Sequence, residues 1–196
     1  MEVSDETLIK RFNRGDRKAL DTLVKRYTKP LYNFLWRMTE CESDSDEIFQ
    51  DTWIRVIKKS RTFRQERFKG WLFKIAHNLV IDWSRRQRKL VSLDAPTSGP
   101  ESGGQTWGDK LVSRDLRPDE QVSGHETGQA IRKALARLPG EQRAVFVMRM
   151  ESGMAFKDIA KAQKASLSTG LARMQYALGK MRTMLKDFQQ DGETIQ

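Results

Sequence analysis

The sequence predicts an all-α protein: two small helical domains joined by a flexible linker, the second carrying a helix-turn-helix. Three observations predict it. Apolar residues recur at gaps of three and four, as at Leu171, Met174, Leu178, Met181 and Leu185, which places them on one helix face. No segment of useful length alternates apolar and polar as a strand does, and no internal repeat is visible. Between two helical blocks, residues 90–126 collect Pro96, Gly99, Pro100, Gly103, Gly104, Gly108 and Pro118. That composition breaks helices and suits a tether. The expected division is therefore 1–89, 90–126 and 127–196.

Ser4 is suited to cap a first helix, with Asp5 and Glu6 where a helix dipole favours negative charge. Leu8, Ile9 and Phe12 give it an apolar face. Asn13 to Asp16 stop the helix, and Asp16 can cap the next one, which carries Ala19, Leu20, Leu23, Val24 and Tyr27 at helical spacing. Pro30 marks a break or a first turn. Leu31, Phe34, Leu35 and Met38 continue an apolar face, and Glu40 to Asp46 read as an acidic loop. A helix is expected from about Asp46 to Lys59, with Ile48, Phe49, Thr52, Trp53, Val56 and Ile57 inside. Ile54 then lies on the polar side, either as part of a partner surface or as an ordinary exposed isoleucine. A basic segment follows at 60–70, then a helix from Trp71 to Arg88. Leu72, Ile75, Ala76, Leu79, Val80 and Trp83 supply its core stripe, and Lys74, His77, Asn78, Asp82, Arg85 and Arg86 its other side.

After the tether, Ala130, Ile131, Ala134, Leu135 and Leu138 form a stripe ended by Pro139-Gly140. Glu141 opens another helix, with Ala144, Val145, Phe146 and Met148, and Gly153 ends it. A short segment, Phe156 to Ala162, then a polar turn, Lys164 to Thr169, then a long basic segment make the helix-turn-helix outline.

Charge supports a polyanionic partner. The chain carries net +10, and 32% of its residues are charged. Residues 1–89 hold 21 Lys+Arg against 13 Asp+Glu, residues 90–126 hold 3 against 7, and residues 127–196 hold 12 against 6. Two basic blocks thus flank an acidic tether, as expected of a nucleic-acid binder. Cys41 is the one cysteine, so no disulfide forms within the chain and a reducing cytoplasm is expected. Cys41 reads as a buried or incidental thiol rather than a redox sensor, having no CxxC partner. No apolar run approaches the roughly 20 residues of a membrane helix, so no membrane insertion is expected. The N-terminal residues lack a signal-peptide pattern. No metal or cofactor is expected, because there is no Cys/His cluster and no phosphate-binding glycine loop. His77 and His125 lie far apart and lack a nucleophile, and the acidic cluster at Glu40 to Asp51 reads as solvated charge and capping. An enzyme is therefore not expected.

Two stretches carry binding chemistry. Around 60–88, aromatic residues interleave with Arg and Lys. Bases stack on rings while cationic groups follow the phosphates; the plain alternative is a tryptophan-bearing core with a solvated basic face. In the last long helix, Ser168, Ala172, Gln175 and Gly179 lie opposite the apolar stripe, flanked by Thr169, Arg173, Tyr176 and Lys180, with Leu171 at the stripe's edge. Gln175 can pair bidentately with adenine, Ser168 can make one hydrogen bond, and Ala172 can meet a thymine methyl. Arg173, Tyr176 and Lys180 suit phosphates, although Arg173 also suits a structural ion pair.

The motifs together resemble bacterial RNA polymerase sigma factors of the extracytoplasmic-function (ECF) group. The resemblance rests on Ala19 to Phe34, DEIFQDTWIRVIK (Asp46 to Lys58), Phe63 to Lys89, ALARLPGEQRAVFVMRM (Ala134 to Met150) and the helix-turn-helix. It implies a protein that binds RNA polymerase core and directs promoter-specific initiation without chemistry of its own. It implies core contacts at Asp46, Glu47, Gln50, Asp51, Ile54 and Arg55. It implies capture of the melted minus-ten strand by Phe63, Lys69, Trp71, Lys74, Asn78, Arg85 and Arg86. Ser168, Thr169, Leu171, Ala172, Arg173, Gln175, Tyr176 and Lys180 would meet the duplex minus-thirty-five element. Members of the group are often held by an anti-sigma factor. This chain departs from the pattern at the turn, where Gln163 and Lys164 replace the usual leucine and glycine, and at Gly170 and Leu171, where a valine and a basic residue are usual. The alternative is a stand-alone helix-turn-helix regulator, which would need a ligand pocket or dimer helix in place of the basic aromatic face. Trp107, inside the tether, either docks in a groove or is merely tolerated.

Overall fold

The computed structural model describes residues 3–64, 67–93 and 125–193. Among the described residues there are helices and turns but no strand. In order they are α1 (Asp5–Asn13), α2 (Arg17–Thr39), α3 (Glu42–Lys59), a 3-10 turn (Ser60–Thr62), α4 (Phe68–Leu93), α5 (His125–Ala136), α6 (Gly140–Met150), α7 (Phe156–Ala162) and α8 (Leu167–Glu193). Helix enters the expected tether from both ends, at Leu93 and His125. Trp107 and most of 90–126 lie outside the described residues.

The first block is organised by caps. Ser4 Oγ accepts from the Thr7 amide at 3.3 Å and Asp16 Oδ1 from the Ala19 amide at 3.3 Å. Asp5 then takes both the Tyr27 hydroxyl and the Arg26 guanidinium, tying α1 to α2. Burial and the Asp5 carboxylate push the Tyr27 phenol well above its ordinary pKa.

Pro30 does not break α2. The helix runs through it, because Tyr27, Leu31, Phe34 and Leu35 on both sides are buried and pay back more than the roughly 3 kcal/mol an interior proline costs. Glu40 ends α2 in the left-handed region, φ 55°. The acidic loop expected at 40–46 is largely helix, since Glu42 and Asp44 occupy the first turn of α3, where the dipole welcomes them. Ile57, expected inside, is 45% exposed beside Ile54; the buried face is Ser45, Ile48, Thr52, Trp53 and Val56. α4 starts three residues early, at Phe68, whose amide donates to Glu6 Oε1 at 3.1 Å. Phe68 is fully buried, its ring 5.5 Å from Tyr27.

In the second block the buried face of α8 is turned from the expected one. Gly170, Met174, Ala177 and Met181 are buried, while Leu171 and Leu178 are 41% and 43% exposed. The small residues decide this. A Cβ on Gly170 would stand 3.7 Å from the Ala160 Cβ, so α7 and α8 meet closely there. The turn between them puts Lys164 at φ 52°, a left-handed conformation that glycine adopts more easily. Ser166 caps α8 through the Thr169 amide at 3.0 Å.

The blocks also meet. α7 packs on α4 and α6 on α2, and one apolar core runs from Leu23, Phe34 and Leu72 into Val145, Met148, Ile159 and Met174. A second, smaller core of Leu135, Leu138, Ala177 and Met181 joins α5 to α8.

Candidate nucleic-acid interface

The outer face of α3 is continuous. Asp46, Glu47, Gln50 and Ile54 are exposed, and Asp51 and Arg55 are half-buried beside them. Five polar residues and two exposed isoleucines, Ile54 and Ile57, thus share one outer surface.

The basic aromatic stretch forms a cluster at the start of α4. The Phe63 ring stands 5.1 Å from Trp71 and 6.0 Å from Phe68, and Trp71 stands 5.9 Å from Phe68. Phe63 and Trp71 are half-buried, so each keeps a partly open ring. Lys69, Lys74 and Asn78 are half-buried along the same helix, and burial lowers the Lys69 pKa. Arg85 and Arg86 are exposed, but they follow Lys74 by 11 and 12 residues, about 16–18 Å along the axis. The structure therefore brings Phe63, Trp71 and Lys74 together and sets the two arginines apart.

α7 lies against this cluster. Asp158 and Lys161 face Arg67, Gly70, Trp71 and Lys74 across a narrow crevice. A Cβ on Gly70 would come within 3.2 Å of the Asp158 Cβ. Arg67 reaches Asp158 at 4.0 Å. His77, expected on the polar side, is only 3% exposed, covered by the second block.

On α8, Ser168, Thr169, Leu171, Gln175, Tyr176 and Lys180 are exposed, whereas Ala172 and Arg173 are half-buried. The Ser168 and Thr169 hydroxyls both lie 2.8 Å from Ser166 Oγ. Gln175, Tyr176 and Lys180 border a shallow groove closed by Gly179, Thr183 and Met184. Arg173 is already engaged: its Nη1 donates to Gln163 Oε1 at 2.7 Å and lies 3.2 Å from Glu141 Oε2. Gln163 in turn donates to the Glu141 carbonyl at 2.9 Å. Gln163, at the turn, thus cross-links α6, α7 and α8.

Residue reasoning missed the polar seam between the blocks. Arg143, nearly buried, donates from Nη1 to Glu40 Oε1 at 2.7 Å and to the Arg37 carbonyl at 3.2 Å. Its Nη2 donates to the Ala136 carbonyl. Burial lowers its pKa and Glu40 opposes that. Arg37 Nε donates to Glu151 Oε1 at 3.0 Å. The one available signal was an arginine set among Ala144, Val145, Val147 and Met148 on a helix otherwise read as core.

Comparison with known proteins matches the first block to the family model Sigma-70 region 2 over residues 23–90 and the second to Sigma-70, region 4 over residues 128–180. The ECF sigma factor SigW of Bacillus subtilis is 27% identical over 95% of this chain and all of its own length. The ECF sigma factor SigX of the same organism is 31% identical over 77% of this chain and 75% of its own. The chain belongs to the ECF sigma factors. As a sigma factor it binds RNA polymerase core and directs transcription initiation from promoters, recognising and opening promoter DNA. Two solved structures share the fold. Sigma factor RpoE in complex with anti-sigma factor NepR, from Bartonella quintana, has a TM-score of 0.65 at 21% identity, covering 86% of this sigma factor and 98% of that chain. CnrH in complex with the cytosolic domain of CnrY has a TM-score of 0.66 at 20% identity, covering 93% and 97%. No helix of the described residues is long and apolar enough to cross a membrane.

Proposed function

We propose that the sigma factor divides its work along the chain. Residues 1–89 hold core polymerase and open the promoter, 127–196 read duplex DNA upstream, and 90–126 span between them. Asp46, Glu47, Gln50, Asp51, Ile54 and Arg55 grip the core subunits, with Ile57 extending the apolar part of that face. Trp71 and Phe63 stack an unpaired base of the minus-ten strand, Asn78 reads its edge, and Lys69, Lys74, Arg85 and Arg86 hold the backbone. Binding to the single strand offsets the cost of unpairing, so melting is a population shift and needs no catalytic group. Gln175, Ser168 and Ala172 face the bases of the minus-thirty-five element; Thr169, Leu171, Tyr176 and Lys180 border them. Arg173 serves this surface by fixing α8 to Gln163 and Glu141.

The observation that supports this reading is the presence of two separate basic or polar surfaces on one chain: a half-buried aromatic, basic cluster at the start of α4 and an exposed polar outer face on α8. The reaction takes place in the cytoplasm, where core polymerase and chromosome meet. Since the two solved structures of like fold hold anti-sigma partners, an anti-sigma factor is expected here too. Run-off transcription with core enzyme on a library of upstream regions tests the proposal. Initiation from one promoter class supports it; no specific product from any region overturns it.

A further inference from the structure

The seam between the blocks has an unusual centre. His77 on α4 is 3% exposed, and neither ring nitrogen has a hydrogen-bond partner among the described residues. Glu141, at the start of α6, approaches Nε2 at 3.8 Å, beyond hydrogen-bonding distance. Its carboxylate is already shared with Arg173 of α8 at 3.2 Å. Lys164, in the turn between α7 and α8, is the other charge felt by the ring. On its own helix Lys74 stands one turn earlier, and beyond it Asp158 and Lys161 of α7. α2 meets α4 through apolar contact, the Phe34 and Phe73 rings lying 5.5 Å apart. Two cations therefore converge on a buried imidazole whose acidic neighbour among the described residues, Glu141, is ion-paired to Arg173.

We propose that proton uptake by His77 opens the contact between the two blocks, so that acidification acts inside the seam to release α6, α7 and α8 from α4. A neutral ring fits there; a charged ring loses its hydration and meets Arg173 and Lys164. Burial first, then those two cations, lower the His77 pKa to about 4. An exposed imidazole stands at about 6.5. The group therefore favours contact fully above about pH 6.5 and loses that effect as pH falls toward 4. Between about pH 7.5 and 5 the balance moves roughly 30-fold toward the open form. The interblock carboxylates Glu40, Glu151 and Asp158 pair with Arg143, Arg37 and Arg67.

The inference does not depend on the promoter or on polymerase, and its test uses the full chain alone. Small-angle X-ray scattering at about pH 7.5 and 5 reads the radius of gyration, with circular dichroism verifying that helix content is kept. The wild-type chain is expected to expand at the lower pH, His77→Gln to stay compact at both, and His77→Arg to be expanded at both. The chain has two histidines, so NMR separates their ring signals without any substitution. His77 is expected to titrate clearly below an ordinary imidazole. A wild-type chain of constant dimensions, equal expansion of His77→Gln, or an ordinary His77 midpoint overturns the proposal.

Discussion

At the scale of single residues, chemistry and position have to agree. Gln175 is exposed on α8 and is the one side chain of its face able to pair with both edge groups of an adenine. Gln175→Ala is expected to relax preference at one or two upstream base pairs by about 1–3 kcal/mol, read by binding or transcription across substituted promoters; an unchanged preference removes it from the reader set. Lys164 makes a different point. Its φ of 52° holds a lysine where glycine is at ease. Lys164→Gly is expected to stabilise the fold by about 0.5–1 kcal/mol, seen as a higher thermal midpoint, because relief of left-handed strain exceeds the added freedom of the unfolded chain. The aromatic cluster was legible as residue types, since Phe63 and Trp71 alternate with basic residues in sequence. The engagement of Arg173 was legible only as one of two options, because its partners Gln163 and Glu141 lie 10 and 32 residues away.

At the scale of elements, helix existence was legible nearly everywhere, and helix rotation was not. Leu171 and Leu178 looked like the buried stripe of α8 because bulk dominates a periodicity count. Packing chose Gly170, where close approach to α7 rewards the absence of side chain, and Ala177, which packs in the small core with Ala134, Leu135 and Leu138. Pro30 looked like a boundary for the same reason: local propensity was read without the burial that overrides it. The missing amide should still cost something, so Pro30→Ala is expected to stabilise the chain by about 1–2 kcal/mol in chemical denaturation. The outer face of α3 has the opposite character. Asp51→Ala and Gln50→Ala are expected to weaken retention of core polymerase in a pull-down while leaving the melting temperature within about a degree; full retention would contradict the assignment.

At the scale of the whole molecule, the seam was the least legible feature. Glu40 with Arg143 and Arg37 with Glu151 are separated by more than 100 residues, and nothing local marks either pair. Arg143→Ala removes a buried cation that serves both blocks at once, so it is expected to cost about 2–4 kcal/mol and to loosen the blocks together. A denaturation midpoint unchanged from wild type would show that the pair is incidental.

The approach of Asp158 to Gly70 has a consequence for how many molecules count. If Trp71 stacks a base as proposed, the Asp158 carboxylate beside it stands where the phosphate of that nucleotide would run while α7 is seated there. The affinity of the free chain for an unpaired strand is then its intrinsic affinity multiplied by the fraction of molecules with α7 displaced. On the proposed role of Trp71, a free copy then holds unpaired strand weakly, while the outer face of α8 stays open.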